Sequence, residues 1–182
     1  AGLLMGIAFV GANESVNLVF GVWIEDNFGL AFATLSIASV VIGASELGSE
    51  LLSALNIDRL GKRRAILVSL VLNCLVVALL PLGGQKLWLA IMGLALFYIT
   101  FEFALISLMT LMSEVVPNAR ATVIAATIAC FSLGRMLGAL VAPGLYGVSF
   151  WASCLAAVGL NIIAMLLLTG IKVKENQTTP TV

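Results

Sequence analysis

Long apolar runs alternate with short polar clusters along the whole chain. Six of the runs approach or exceed the ~20 residues that a helix needs to cross a hydrocarbon core. They span 2–23, 31–56, 65–82, 87–113, 121–143 and 148–171. Polar or turn-forming residues mark every break: Glu25-Asp26-Asn27, Asp58 to Arg64, Gly83-Gly84-Gln85-Lys86, Pro117-Asn118-Ala119-Arg120 and Gly144 to Ser149. The runs lack the period-2 alternation of a porin-like barrel, whose lumen-facing positions are polar at every second residue. The pattern therefore predicts an all-α, polytopic membrane protein: a six-helix transmembrane bundle over 1–171 with short connections, and a polar tail at 172–182.

Composition agrees. Hydrophobic residues make up 62% of the 182 and charged residues only 10%, against roughly a quarter charged in a soluble domain. Formal net charge is zero, so no basic field argues for nucleic acid as a partner. The cations are sorted by position instead. Arg59, Lys62, Arg63, Arg64, Arg120, Lys172 and Lys174 fall at one end of the bundle, while the other end has Lys86 beside Glu25 and Asp26. By the positive-inside rule both termini and the Asp58–Arg64 hairpin lie in the cytoplasm, in an inner or plasma membrane. Ala1 follows neither an initiator Met nor a signal peptide, which marks the chain as a fragment or a processed form.

Absent residue types remove whole classes of chemistry. The chain has no His, which eliminates His-based triads and His metal sites, and it has no Gly-rich loop ending in Gly-Lys-Ser/Thr to hold ATP phosphates. Cys74, Cys130 and Cys154 stand alone inside separate spans and read as small packing residues. Neither a cofactor nor a metal is expected. The mid-span acids are spread over separate helices, which disfavours an enzyme and leaves a transporter half or a structural subunit.

Ionisable residues inside the spans carry the functional reading. Glu14, Glu46, Glu102 and Arg135 lie within about 5 Å of the middle of their helices at 1.5 Å rise per residue. A bare charge there costs about 2.5 to 3.5 kcal/mol even on the mildest scale, so each must be paired, protonated or wet. With three carboxylates to one guanidinium, at least one Glu is expected to exchange a proton near physiological pH. The first span holds Asn13, Glu14 and Asn17 within about a turn, and the fourth places Tyr98 and Glu102 on one face. These five are the candidate substrate and proton site. Ser39, Gly43, Glu46, Glu50 and Ser53 recur at helical spacing on the second span as one polar stripe. Gly134, Gly138 and Ala142 form a small-residue ridge on the fifth, beside Arg135. Glu46 and Glu50 with Arg135 are the candidate charge pair between two halves; the plainer reading is that they glue neighbouring helices together. Asn13, Asn17 and Tyr98 with the acids suit a hydroxyl-rich solute, whereas Glu14 and Glu102 against Phe97, Phe101 and Phe103 suit a lipophilic cation.

Asp58-Arg59-Leu60-Gly61-Lys62-Arg63-Arg64 between the second and third spans resembles the loop signature of the major facilitator superfamily, roughly Gly-x-x-x-Asp-Arg-x-Gly-Arg-Arg. Ala54 stands where its first Gly would be and Lys62 where the first paired Arg would be, which points to the weaker, C-terminal version. Gly134-Arg135-Met136-Leu137-Gly138 with Ala142-Pro143-Gly144 resembles the family's fifth-helix pattern, and Pro117-Asn118-Ala119-Arg120-Ala121-Thr122 its lead-in. The resemblance implies one half of a twelve-helix fold, with six helices in a 3+3 inverted repeat. It also implies helices one and four lining a substrate cavity, three and six facing lipid, and two and five packing on the other half. The expected function is secondary active transport of a small molecule, proton-coupled and with efflux favoured. The partners would be the substrate, protons, the lipid bilayer and a second six-helix half, which is either an N-terminal half or a second copy in a homodimeric half-transporter. A non-transporting assembly subunit is the alternative outside transport.

Overall fold

The computed structural model describes the chain over residues 1–29 and 31–171, with the side chains of all of these except 31–35 and 58. The tail expected at 172–182 lies outside the described residues. Helix α1 spans Gly2–Phe28, α2 Ala31–Leu60, α3 Lys62–Leu79, α4 Leu87–Val115, α5 Arg120–Val148 and α6 Phe150–Thr169. A 3-10 segment at Leu80–Gln85 joins α3 to α4, and a 3-10 turn at Pro117–Ala119 joins α4 to α5. Each helix is long and apolar enough to span a bilayer. The exterior is what a lipid-facing bundle requires: Val40, Leu51, Leu55, Leu140, Leu155 and Leu166 are all exposed, an arrangement that water would penalise and hydrocarbon does not.

Helices α1, α2, α4 and α5 run past the boundaries read from apolar run length, whereas α3 is displaced to Lys62–Leu79 and α6 is shorter than expected at Phe150–Thr169. Helix α1 continues through Glu25 and Asp26 to Phe28, because at the membrane interface water can solvate those charges while the backbone stays paired. Helix α5 continues through Pro143 to Val148; proline costs one backbone bond but does not end a transmembrane helix, where neighbours re-satisfy the freed carbonyl. The expected 58–64 hairpin contracts to Gly61 alone, at φ 77°, whose N–H bonds the Ile57 carbonyl at 3.0 Å. A left-handed φ at a helix end is the position that glycine tolerates without a Cβ penalty.

Packing repeats itself. Helix α1 packs chiefly on α5 and α6, α4 chiefly on α2 and α3, and α3 meets α6. Exchanging α1, α2, α3 for α4, α5, α6 maps each of these contacts onto another of them or onto itself. Since each triplet has an odd number of helices, α4 enters from the opposite membrane face to α1, so the repeat is inverted. Helix α1 is the most buried of the six, and α2 and α5 are the least.

The repeat extends to side chains. Asn73 is the twelfth residue of α3 and Asn161 the twelfth of α6, and the two meet on the pseudo-axis. Asn161 Nδ2 donates to Asn73 Oδ1 at 2.8 Å, and Asn73 Nδ2 donates to Thr100 Oγ1 at 2.9 Å and to the Phe97 carbonyl at 3.1 Å. Both amides are almost fully buried, so this polar knot ties α3, α4 and α6 where no water can replace a lost partner. Asn73→Leu is expected to lower stability by about 0.6 to 2 kcal/mol, read as an earlier transition in denaturant-titrated micelles. An unchanged transition would remove the knot from the list of stabilising contacts.

Candidate functional site

Helices α1 and α4 present their polar residues to a common region. Tyr98 is buried and its hydroxyl donates to Asn17 Oδ1, so the α1 and α4 sets expected from spacing do meet. Asn13 is buried, and Glu14, Asn17 and Glu102 are half-buried around them. Glu14, Glu46, Glu102 and Arg135 all lie close enough to Tyr98 for their charges to act on its hydroxyl. Glu102 in turn feels Glu46, Arg135 and Glu50. Four helices thus deliver four carboxylates and one guanidinium to one zone, and among the described residues Arg135 forms no ion pair with any of them.

Exposure divides this zone. Glu46, Glu50 and Arg135 are exposed in the six-helix unit, although they sit in the middle thirds of α2 and α5. Ser39 is exposed with them, whereas Gly43 is half-buried and Ser53 is buried. The stripe expected on α2 is therefore split: its acids face outward, and the seam against α4 is made of Ser45, Ser49 and Ser53. Ser49 Oγ donates to the Ile99 carbonyl of α4 at 3.1 Å. Spacing alone missed Ser45 and Ser49, although the four-residue interval of Ser45, Ser49 and Ser53 was the available signal.

On α5 the same role falls to glycine. A Cβ on Gly134 would stand 2.6 Å from the Ile7 carbonyl oxygen, and one on Gly138 would stand 2.6 Å from the Gly11 oxygen and 2.8 Å from Glu14 Cβ. Gly134 and Gly138 thus bring α5 into backbone contact with α1 and leave room for the Glu14 stem. Pro143 lies on the exposed side of α5. Register makes the correspondence explicit: Ser45 and Gly134 are each fifteenth in their helices, Glu46 and Arg135 sixteenth, Ser49 and Gly138 nineteenth. The exposed acid and the exposed cation are inverted-repeat counterparts.

Phe97, Phe101 and Phe103 do not join the site. Phe97 and Phe101 turn into the core, with Phe101 against Phe9 at 4.8 Å between ring centroids. Phe103 lines a groove between α2, α3 and α4. The aromatic half of the lipophilic-cation reading is thereby corrected: on α4, Phe97 and Phe101 are four apart and share a buried face, about 100° round the helix from the face of Tyr98 and Glu102. Cys74, Cys130 and Cys154 are free thiols, half-buried or buried.

At the Arg-rich end the loop-motif cations act as staples. Arg63 Nη2 donates to the carbonyls of Leu168 at 2.9 Å and Ile171 at 2.6 Å, capping α6. Lys62 pairs with Glu114 at the end of α4, and Arg120 Nη2 reaches Ser113 Oγ at 3.2 Å. Arg59 and Arg64 are exposed, and the side chain of Asp58 lies outside the described residues. The Lys62–Glu114 pair is solvent-accessible and contributes little. The cap satisfies orphan carbonyls at a helix C-terminus, where a cation is favoured. Arg63→Met should accelerate amide exchange in the last turn of α6 about fivefold, corresponding to about 1 kcal/mol; unchanged exchange there would contradict the cap. At the opposite end the Tyr146 hydroxyl donates to Asp26, and Trp23 stacks on Phe150 at 4.4 Å, closing α1, α5 and α6 together.

A family model described as Major Facilitator Superfamily matches residues 3–181. Comparison with curated proteins gives no match.

Proposed function

The chain belongs to the major facilitator superfamily, a family of membrane transporters, and on that premise we propose that it is the C-terminal half of a proton-coupled exporter of small molecules. Helices α1 and α4 line its cavity. Glu14 or Glu102 carries the coupling proton, while Asn13, Asn17 and Tyr98 contact substrate. The observation that carries this reading is the gathering of Glu14, Glu46, Glu102 and Arg135 near Tyr98 at mid-span, with Glu50 near Glu102. Charges at that depth mark substrate or ion pathways, and four acids facing one cation favour a cationic solute over an anion. The Lys and Arg asymmetry supports cytoplasmic termini in a plasma membrane.

A second six-helix half, from a longer chain or from a second copy, covers the exposed face of α2 and α5. Rocking of the two halves alternates access to the site. Glu46 or Glu50 of one half then meets a counterpart of Arg135 in the other, and in a two-fold pair of copies the contact occurs twice. Arg135→Met should weaken association of the halves, with a penalty of up to about 3 to 5 kcal/mol for the uncompensated partner; neutralising the partner Glu should restore part of it. Subunit dissociation, or the transition between states, reads this directly, and independent effects of the two changes would refute the pair.

The test of transport itself uses proteoliposomes of the complete transporter that contains this chain. Under an imposed pH gradient they should accumulate members of a panel of small organic cations, with proton movement in the opposite direction. Neither accumulation nor proton flux across the panel would favour a non-transporting assembly subunit.

A further inference from the structure

Helix α2 leans on α4 and hardly touches α3. The gap leaves a groove of ≈ 240 Å³ whose sides are Leu52, Asn56 and Leu60 of α2, Val68 and Leu72 of α3, and Phe103 of α4. Leu52, Leu60, Val68 and Leu72 are all exposed, so the groove opens sideways to the surroundings of the bundle. From Leu52 to Leu60 it runs about 12 Å along the helix axis at 1.5 Å per residue, close to the depth of one leaflet in a hydrocarbon core of about 30 Å.

Its mouth is charged. Leu60 also lines a second, more open depression formed by Arg59, Gly61, Lys62, Arg63 and Arg64, so groove and cationic rim are continuous. Two of those four cations are already engaged, Lys62 by Glu114 and Arg63 by the α6 carbonyls. Arg59 and Arg64 are exposed and have no partner among the described residues. A chain-length apolar slot ending in two guanidinium groups that engage no described residue, at headgroup level, matches an anionic phospholipid.

We propose that the α2–α3 groove binds an anionic phospholipid, with one acyl chain between Leu52 and Leu72 and the phosphate held by Arg59 and Arg64. The site is separate from the transport site described above. It opens outward rather than toward Tyr98, and it would stand even if the coupling residues were assigned wrongly. Because it lies in the gap between α2 and α3, an occupied groove holds α2 away from α3, and lipid composition at this end becomes a factor in the position of α2.

The test uses protein purified into phosphatidylcholine nanodiscs doped with phosphatidylglycerol, with retained lipid counted by native mass spectrometry. The wild-type chain should keep phosphatidylglycerol in preference to phosphatidylcholine. The double variant R59Q/R64Q should lose affinity about thirtyfold, from about 1 kcal/mol per cation near a headgroup. Val68→Trp fills the groove from an exposed position and leaves every cation in place; it should also release the lipid. Lys86→Gln at the other end should change nothing, and chainless glycerophosphoglycerol should not compete. Retention by R59Q/R64Q, indifference to Val68→Trp, equal loss in Lys86→Gln, or full competition by the chainless headgroup would each overturn the proposal. So would cross-linking of a Val68→Cys variant to a second copy at any lipid content, since a protein would then occupy the groove.

Discussion

Replacing Glu102 by Gln should reduce concentrative transport to background and leave exchange of substrate between the two sides intact, and Glu14→Gln is the companion variant. The reason is charge balance at the bilayer midplane. A bare carboxylate there costs about 2.5 to 3.5 kcal/mol, and Glu102 shares its surroundings with Glu46 and Glu50 against a single Arg135. On the proposed reading a proton is carried on Glu102 or Glu14 and released when access changes sides. Gln keeps the shape and hydrogen-bonding capacity of Glu and removes only the titration. Uncoupling without loss of exchange is therefore the signature of a proton site, whereas loss of both would mark a residue that binds substrate or positions a helix. If both Gln variants accumulate substrate as the wild type does, the coupling proton resides elsewhere.

The second large effect is structural. Gly138→Leu should separate α1 from α5 and prevent a stable fold, and even Gly138→Ala should cost about 1 to 3 kcal/mol by overpacking. The obstacle is backbone: the added Cβ would meet the Gly11 carbonyl oxygen at 2.6 Å and Glu14 Cβ at 2.8 Å, and main-chain atoms cannot swing aside as a side chain does. Gly134 stands in the same position against the Ile7 oxygen. Gly159 of α6 has nothing within 4 Å of its added Cβ, so Gly159→Ala should be neutral or slightly stabilising through helix propensity. Unfolding transitions of Gly134→Ala, Gly138→Ala and Gly159→Ala, measured in one detergent, check the contrast. Equal stability of Gly138→Ala and Gly159→Ala would show that α1 and α5 do not meet at this seam. Because Glu14 sits at the crossing, Gly138→Ala should also impair coupling in whatever fraction folds.

The six helices were legible because a bilayer imposes one simple requirement, a long run of apolar residues, and nothing in this chain competes with it. Their ends were less legible. Apolarity stops at the edge of the hydrocarbon, whereas hydrogen-bonded helix continues into the interface, which is why α1 carries Glu25 and Asp26 within it. The Arg-rich hairpin was visible as a charge cluster, but only the backbone reveals that Gly61 alone makes the turn and that Arg63 spends its guanidinium on α6. On the candidate site, Asn17 and Tyr98 were named from their positions on α1 and α4, and their side chains are hydrogen-bonded. The side of α2 was misjudged, because serines mixed with glutamates on a helix look like one polar stripe when they are two faces: a seam of Ser45, Ser49 and Ser53, and an outward row with Glu46 and Glu50. Asn73 and Asn161 lie 88 positions apart, and each alone in its helix carries no signal; their pairing exists only through the inverted repeat. Phe97 and Phe101 were grouped with Glu102 as suiting a lipophilic cation, although one residue on a helix turns the side chain by about 100°.

The aqueous character of the α1–α4 face can be measured without knowing the substrate. With Cys74, Cys130 and Cys154 replaced by Ala, single cysteines at position 17 on α1 and position 102 on α4 are compared with one at position 71, which is exposed on α3, using a membrane-impermeant thiol reagent on the complete transporter in sealed vesicles. A cavity lined by α1 and α4 predicts rapid labelling at 17 and 102 from one side of the membrane, reversal or slowing when the pH gradient is inverted, and no labelling at 71, where hydrocarbon excludes the reagent. Labelling at 17 and 102 as slow as at 71, from both sides and at every gradient, would contradict a water-accessible transport pathway on this face.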